Sequence, residues 1–173
     1  MSSIVRTFFM SIHTLDDLLA RHLRLMLSME QQSDDALAWL NERTLHPSLS
    51  QYLSCYREQA QGRLARLHDC FHLVGREVVP LFCSTTASII DHARQAMEMP
   101  MAPAVRPVLL TATLKHLIRH QVSVSETGCE WAERVGRAET VLLLQQGLAE
   151  QKSMDQRLDE VAHAVEQVAP LAA

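Results

Sequence analysis

The chain has 173 residues, a net charge of −4, 47% hydrophobic residues and 5% aromatic residues. This length suits one domain, and the scarcity of turn residues, with only 5 Gly and 6 Pro, favours long helices over strands. There is no basic tail or patch and no long apolar stretch, so we expect neither a nucleic acid partner nor a membrane span.

Start and stop signals along the chain predict four long helices and one short helix. Thr14 and Asp17 form a capping box at the first start, Pro47 suits the first turn of the second helix, and Gly75 ends that helix. The predicted helices cover about residues 15–44, 47–74, 86–99, 105–135 and 138–168. Two helical hairpins joined by a long crossover, which carries the short helix, are typical of the ferritin-like four-helix bundle. We therefore predict a single all-α, ferritin-like domain over residues 1–173.

Each long helix carries a polar residue near the middle of an apolar stripe with the 3-4 spacing that faces a bundle core. A buried polar group costs about 1–3 kcal/mol unless it is hydrogen-bonded, so we expect these residues to meet in one layer across the bundle. The predicted layer comprises Glu30, Glu58, Gln61, Gln121, Gln151 and Asp155. Two interpretations stay open: a neutral, hydrogen-bonded plug that sets helix register, or a remnant of a di-metal site.

A family resemblance is carried by the segments 26–32 (MLSMEQQ), 57–67 (REQAQGRLARL), 127–136 and 150–158. Together with the helix order, these segments resemble the bacterial YciE/YciF-type ferritin-like stress proteins over about residues 15–162. The resemblance implies a ferritin-like fold, a bundle in which relatives hold two metal ions such as iron or manganese, and a homodimer.

The resemblance also implies metal-ligand positions, and most of them lack ligands in this chain. The family's first glutamate falls on Glu30, and its Glu-x-x-His pair falls on Glu58 and Gln61, so the histidine is lost. Its Glu-His-Tyr-Glu run falls on residues 118–121, and its Glu-Glu-Lys run with the following aspartate falls on residues 150–155. Only two of the expected carboxylates are clearly kept, so we predict a vestigial layer and expect no cofactor.

Histidines, arginines and cysteines outside the predicted layer are weaker candidates for functional residues. His116 and His120 lie one helical turn apart and could hold a metal together, but they flank the inward stripe, so we expect a partly exposed pair. The isolated arginines, including Arg63 and Arg66, are interpreted as parts of solvated faces. The 4 cysteines show no CxxC spacing and are expected to be reduced thiols of a cytoplasmic protein.

Connections at the rim of the bundle are unusually apolar, at Phe8, Phe9, Phe82 and residues 97–101. Such patches often mark contacts with another chain, which fits the implied homodimer. The sequence therefore predicts a stress-associated protein that has lost di-iron binding and acts through self-association or a protein partner, without catalysis. A metal-dependent oxidase or peroxide-handling protein is one alternative, and an adaptor or immunity-type interaction module is another.

Overall fold

The structure, a computed structural model, describes residues 11–169 and contains five helices in that range. The helices are α1 (Leu15–Asn41), α2 (Pro47–Val74), α3 (Ser84–Glu98), α4 (Arg106–Arg134) and α5 (Ala138–Glu166). Residues 11–169 include no strand, so the prediction of an all-α fold is confirmed. Helix α1 ends before the predicted residue 44 because the N–H groups of Arg43 and Thr44 both turn back to the carbonyl of Leu40. The single domain over the whole chain stays a prediction.

Local signals set the ends of the helices. The Thr14 hydroxyl accepts a hydrogen bond from the N–H of Asp17, whose carboxylate accepts one from the N–H of Thr14, as the capping box predicts. Pro47 is the first residue of α2. Gly75 and Gly136 follow α2 and the end of α4 with φ of 66° and 73°, a conformation that glycine adopts without steric cost.

The four long helices form a closed ring. Helices α1 and α2 pack as one hairpin and α4 and α5 as the other, while α1 also packs against α4 and α2 against α5. The crossover between the hairpins carries α3, which packs against α4 and α1. A backbone hydrogen bond of 2.9 Å from the N–H of Leu81 to the carbonyl of Arg24 holds the crossover against α1. This is the predicted ferritin-like arrangement with its long crossover.

Within residues 11–169, no helix has the length and apolar character needed to cross a membrane.

The apolar core is divided into two clusters. The first comprises Leu37, Leu40, Leu49, Tyr52, Leu53, Tyr56, Met97, Leu110, Leu114, Ile118, Met154 and Leu158. The second comprises Leu19, Leu23, Met26, Leu27, Leu67, Cys70, Phe71, Val74, Cys129, Ala132 and Leu144. Along each long helix, buried polar residues lie between the members of the two clusters. The ends of the bundle are therefore apolar, and its middle is polar.

The inward face of α2 differs from the predicted one. The predicted placement of Glu58 and Gln61 in the layer implies an inward stripe through Arg57 and Leu64, but Tyr56 and Arg63 face the core at 0% and 4% exposed. Arg57 lies nearer the surface, where it pairs with Asp34 of α1 at 3.1 Å. Both stripes keep the 3-4 spacing between the same flanking leucines, so the periodicity of α2 does not distinguish them. The interpretation of Arg63 as a solvated residue is wrong.

The apolar residues of the connections differ in how exposed they are. Phe82 and Met99 are 69% and 54% exposed, whereas Met97 is 8% exposed and belongs to the first core cluster. Phe8 and Phe9 lie outside the described residues. The exposed part of the predicted apolar rim therefore includes Phe82 and Met99 in the crossover.

Candidate functional site

The centre of the polar layer is a buried ion pair between α1 and α2. The side chains of Glu30 and Arg63 are 2% and 4% exposed. Arg63 donates two hydrogen bonds to the Glu30 carboxylate, from Nε to Oε1 at 3.0 Å and from Nη2 to Oε2 at 3.2 Å. Paired N–H···O bonds between guanidinium and carboxylate are strong because both partners are charged and their geometries match. The pair therefore compensates a carboxylate that is shielded from water.

Two glutamines and a tyrosine complete this layer. The amide nitrogen of Gln151 donates a 2.8 Å hydrogen bond to Oε1 of Glu30. The hydroxyl of Tyr56 donates to Oε1 of Gln121, and the Arg63 guanidinium carbon lies 4.8 Å from the centre of the Tyr56 ring. All four long helices thus contribute to one connected set of polar contacts; the stripes of α1, α4 and α5 contribute predicted residues, and α2 contributes Tyr56 and Arg63, which were not predicted.

A second ion pair lies beside the first, nearer the surface. Arg66 pairs with Glu150, and Nη1 of Arg63 lies 4.0 Å from the same carboxylate. The two arginines and the two carboxylates, Glu30 and Glu150, balance to zero net charge. The buried charges of the polar layer are therefore neutralised by other side chains of the protein.

Burial and neighbouring charges shift the pKa of two groups in the layer. Burial lowers the pKa of Arg63, but attraction by the carboxylates of Glu30 and Glu150 outweighs this effect and raises the pKa above its ordinary value. For the Tyr56 hydroxyl, burial is the largest effect and raises the pKa above its ordinary value. Arg63 is therefore a permanent cation, and the Tyr56 hydroxyl keeps the proton that it donates to Gln121.

Half of the predicted layer residues lie in this layer. Glu30, Gln121 and Gln151 are 2%, 0% and 1% exposed and take part in the contacts described above. They were predicted from interruptions in the stripes of α1, α4 and α5, and those three stripes have the expected orientation at these positions.

The other three predicted residues lie elsewhere. Glu58 is exposed on α2, and Gln61 is exposed and donates a 3.1 Å hydrogen bond to Asp34. Asp155 is half-buried and pairs with Arg119 at 3.4 Å. Placing these three in the layer was wrong because the inward face of α2 is rotated from the predicted one and Met154, the neighbour of Asp155, points into the core.

Sequence reasoning missed Arg63 and Tyr56, because the stripe that contains them has the same 3-4 spacing as the predicted one. The stem of Arg63 packs against Gly147 in the interior of α5, where a Cβ would lie 3.5 Å from its Cγ and Cδ, an ordinary van der Waals distance.

The inward residues of the layer do not fit the di-metal centre of a ferritin-like bundle. Such a centre takes one Glu from each of two helices and a Glu-x-x-His pair from each of the other two. The inward residues at this height are Glu30 on α1, Ala60 and Arg63 on α2, Gln121 on α4, and Gln151 and Met154 on α5, each at most 4% exposed. One carboxylate beside a guanidinium cannot supply the anionic oxygen ligands that two divalent ions require.

The free space in the layer is also too small for a metal pair. A cavity of about 20 Å³ lies beside Glu30 and Arg63, with Met26, Ser125 and Gly147 among its lining residues. This volume accommodates about one water molecule. Among residues 11–169, no three His, Cys, Asp or Glu side chains are grouped as metal ligands.

His22 forms a separate buried polar contact at the α1–α4 interface. Its Nε2–H donates a 2.7 Å hydrogen bond to the carbonyl of Val124, and its ring meets that of Trp131 edge-on at 4.9 Å. Burial lowers the pKa of His22 most strongly; the hydrogen bond to Val124 opposes this shift and nearby Arg21 adds to it, and the pKa lies below 6.5. His22 is therefore held in its neutral form in the folded protein.

His22 should make the protein less stable as the pH falls from 7.5 to 5. The unfolded chain takes up a proton near pH 6.5 while the folded chain does not, so the free energy of unfolding decreases across this window. The loss is about 1.4 kcal/mol for each unit by which the folded pKa lies below the unfolded one. His22→Gln keeps a donor for Val124 without titrating, so urea unfolding of this variant should depend less on pH. His68→Gln, at an exposed position, controls for the loss of an imidazole.

The remaining candidate groups have packing roles or local contacts. His116 is exposed and His120 half-buried, as expected for a pair that flanks the stripe, and Nε2 of His120 lies 3.7 Å from the sulfur of Cys83. All four cysteines are unpaired thiols. Burial raises the pKa of Cys70 to about 12 and that of Cys129 to about 11, so both stay protonated members of the apolar core.

Comparisons with known proteins agree with this architecture. The family described as "Domain of unknown function (DUF892)" matches residues 14–169. Protein YciF of Escherichia coli (strain K12) is 25% identical over 154 residues, which cover 88% of this chain and 93% of that protein. The crystal structure of the E. coli stress protein YciF matches with a TM-score of 0.86 at 24% identity, covering 90% of this chain and 99% of that chain. YcfI from Rhodopseudomonas palustris, named as a candidate structural protein, matches with a TM-score of 0.84 at 26% identity, covering 88% of this chain and 97% of that chain. The resemblance to YciE/YciF-type proteins and the helical-bundle fold are thus confirmed.

Proposed function

This chain belongs to the DUF892 family, and from that premise we propose that it is a stress-associated scaffold protein that works without a bound metal. The names of its relatives support the two parts of this role. One relative is called a stress protein, and another is named as a candidate structural protein. Neither name specifies a reaction.

The buried Glu30–Arg63 pair carries the proposal. It lies in the layer where a ferritin-like metal centre would be, and it places there two opposite charges and a hydrogen bond from Gln151 to Glu30. Redox chemistry at such a centre would require carboxylate and imidazole ligands at inward positions that hold alanine, arginine, glutamine and methionine. An oxidase or peroxide-handling function based on this layer is therefore disfavoured.

Elemental analysis tests the metal-free part of the proposal. The chain purified without chelators should contain iron and manganese far below one ion per chain, including after growth with added iron or manganese. The reason is that the inward positions of the layer provide a single carboxylate, Glu30, already paired with Arg63. One tightly bound ion per chain, lost on chelation, would show that the proposed function is wrong.

Exposed apolar side chains support self-association as the mode of action. Phe82 and Met99, both in the crossover, are 69% and 54% exposed. Met99 also borders a groove of about 380 Å³ between α3 and α4, whose lining includes Ile89 and Leu109. Phe82 precedes α3 and Met99 follows it, so exposed apolar side chains stand at both ends of this helix. Exposed apolar surface of this kind often marks contacts with another chain. A second copy of this chain is the occupant that we propose, which gives a homodimer.

Sedimentation velocity tests this dimer. The chain at micromolar concentration should sediment with twice the mass of one copy. Phe82→Glu with Met99→Glu should convert it to monomer, because each carboxylate would be desolvated in the interface. Leu142→Glu, at a site on α5 that is 68% exposed, is the matched control and should leave the dimer intact. A monomeric native chain would contradict self-association, and a double variant that stays dimeric would contradict the choice of surface.

We also propose a cytoplasmic location. The four unpaired thiols, of which three are buried, support this proposal because reduced thiols persist in the cytoplasm.

A further inference from the structure

We infer that a cleft at one end of the bundle binds a small monocarboxylate whose apolar body is about the size of one aromatic ring. The cleft lies between the α1–α2 turn and the start of α4, and none of its lining residues belongs to the polar layer. The inference goes beyond the proposed function, which assigns no ligand to this end of the molecule.

The volume of the cleft sets the size of its ligand. The cleft holds about 190 Å³. For comparison, an apolar cavity of roughly 150 Å³ engineered into another protein binds a benzene molecule. A single aromatic ring, or an aliphatic chain of similar volume, therefore fits.

Most of the lining of the cleft is apolar. Leu110, which is 1% exposed and belongs to the first core cluster, lines the cleft together with Met101, Pro103 and Pro107. Leu45 also lines it, although this side chain is 94% exposed. An apolar ligand body in the cleft would remove these groups from water, which favours binding.

Backbone hydrogen bonds hold both sides of the cleft in place. In the α1–α2 turn, the N–H groups of Arg43 and Thr44 each donate to the carbonyl of Leu40 at 3.1 Å. Before α4, the N–H of Val105 donates to the carbonyl of Ala102 at 3.0 Å. The cleft is therefore formed before a ligand arrives, so binding does not have to order these segments.

Two arginines give the cleft its charge. Arg43 and Arg106 both line it, and the lining includes no acidic residue. Arg106 is half-buried and forms no ion pair within residues 11–169. Arg43 uses Nη1 for the carbonyl of Trp39 and for Glu42, which leaves the donors on Nε and Nη2. These two groups form the edge of a guanidinium that matches the two oxygens of a carboxylate.

The balance of these charges indicates a monoanion. Glu42 lies 3.4 Å from Arg43 and compensates one positive charge, so the two arginines retain a net charge of +1. Both guanidinium groups stay protonated in proteins. A single carboxylate would neutralise the remaining charge, and a planar carboxylate is the anion whose geometry a guanidinium fits.

Titration of the full chain with phenylacetate, followed by amide shifts in ¹H–¹⁵N NMR spectra, tests the inference. A ligand of this size should bind with a Kd of about 1 mM or below. The shifts should lie at residues 43–45 and 101–110, and added salt should weaken binding. Phenylacetamide has the same shape without the charge, and acetate has the charge without the ring. Each should bind at least tenfold more weakly than phenylacetate.

Variants of α4 identify the cation. Arg106→Gln should weaken phenylacetate binding about tenfold or more, because hydrogen bonds to a charged group are lost. Arg106→Lys keeps the charge and should retain part of the affinity. Arg134→Gln, at an exposed position at the other end of α4, is the matched control and should bind like the native chain. Circular dichroism checks that each variant keeps its helix content.

Three results would overturn the inference. One is the absence of shifts at residues 43–45 and 101–110 with phenylacetate at about 10 mM, well above the expected Kd. Another is equal binding of phenylacetate and phenylacetamide, which would show that the cleft does not recognise the charge. The third is a folded Arg106→Gln variant with the affinity of the native chain.

Discussion

Arg63→Met should lower the free energy of unfolding by about 3–5 kcal/mol at pH 7, the typical cost of removing one partner of a buried ion pair. Methionine fills a similar volume, so the loss arises from Glu30, which would stay 2% exposed without its cation. The hydrogen bond from Gln151 remains but carries no charge. Urea unfolding followed by circular dichroism measures this change.

Two further variants distinguish charge compensation from packing. Glu30→Gln combined with Arg63→Met removes both charges and keeps an oxygen that accepts from Gln151, so most of the lost stability should return. As a control, Glu58→Gln removes an exposed carboxylate from α2, the helix that carries Arg63. It should change the free energy of unfolding by less than about 0.5 kcal/mol. If the double variant were as unstable as Arg63→Met alone, packing of the arginine stem would be the dominant contribution.

Tyr56→Ala should destabilise the protein by about 3–5 kcal/mol, as is typical for the removal of a fully buried aromatic ring. The ring is 0% exposed, stacks on Tyr52 with 6.2 Å between centres and lies against Arg63. Tyr56→Phe removes only the hydroxyl and leaves Oε1 of Gln121 without its donor, which should cost about 1–3 kcal/mol. The difference between the two variants measures the contribution of the ring.

A third change checks the role of the hydroxyl. Tyr56→Phe combined with Gln121→Leu removes the donor and the acceptor together, and its stability should exceed that of Tyr56→Phe alone. Chemical unfolding of the three variants under one set of conditions provides the comparison. If the double variant were the less stable one, Gln121 would contribute to the core through contacts other than its bond to Tyr56.

The fold follows largely from local features of the sequence. A capping box at Thr14, a proline at position 47 and glycines at positions 75 and 136 set helix ends through short-range sterics and hydrogen bonds. Such interactions involve residues close in the chain, so they can be recognised from the sequence. The order of the helices and the length of the crossover then restrict the topology to one type of bundle.

The candidate site could be predicted only in part. Glu30, Gln121 and Gln151 interrupt stripes that are otherwise clearly apolar, and the cost of burying an unpaired polar group implies that they meet. On α2, two stripes with equal spacing share Leu53, Ala60 and Leu67, and each contains an arginine, Arg57 in one and Arg63 in the other. The periodicity of α2 therefore does not indicate which of the two faces is buried.

The sequence by itself determined the helices, their order and the existence of a polar layer, because these depend on periodicity and on neighbours along the chain. Only the tertiary structure decided which face of α2 is buried and what compensates Glu30. The physical reason is that burial of a charge is favourable only when a partner of opposite charge lies within hydrogen-bonding distance. That partner, Arg63, lies 33 positions away on another helix.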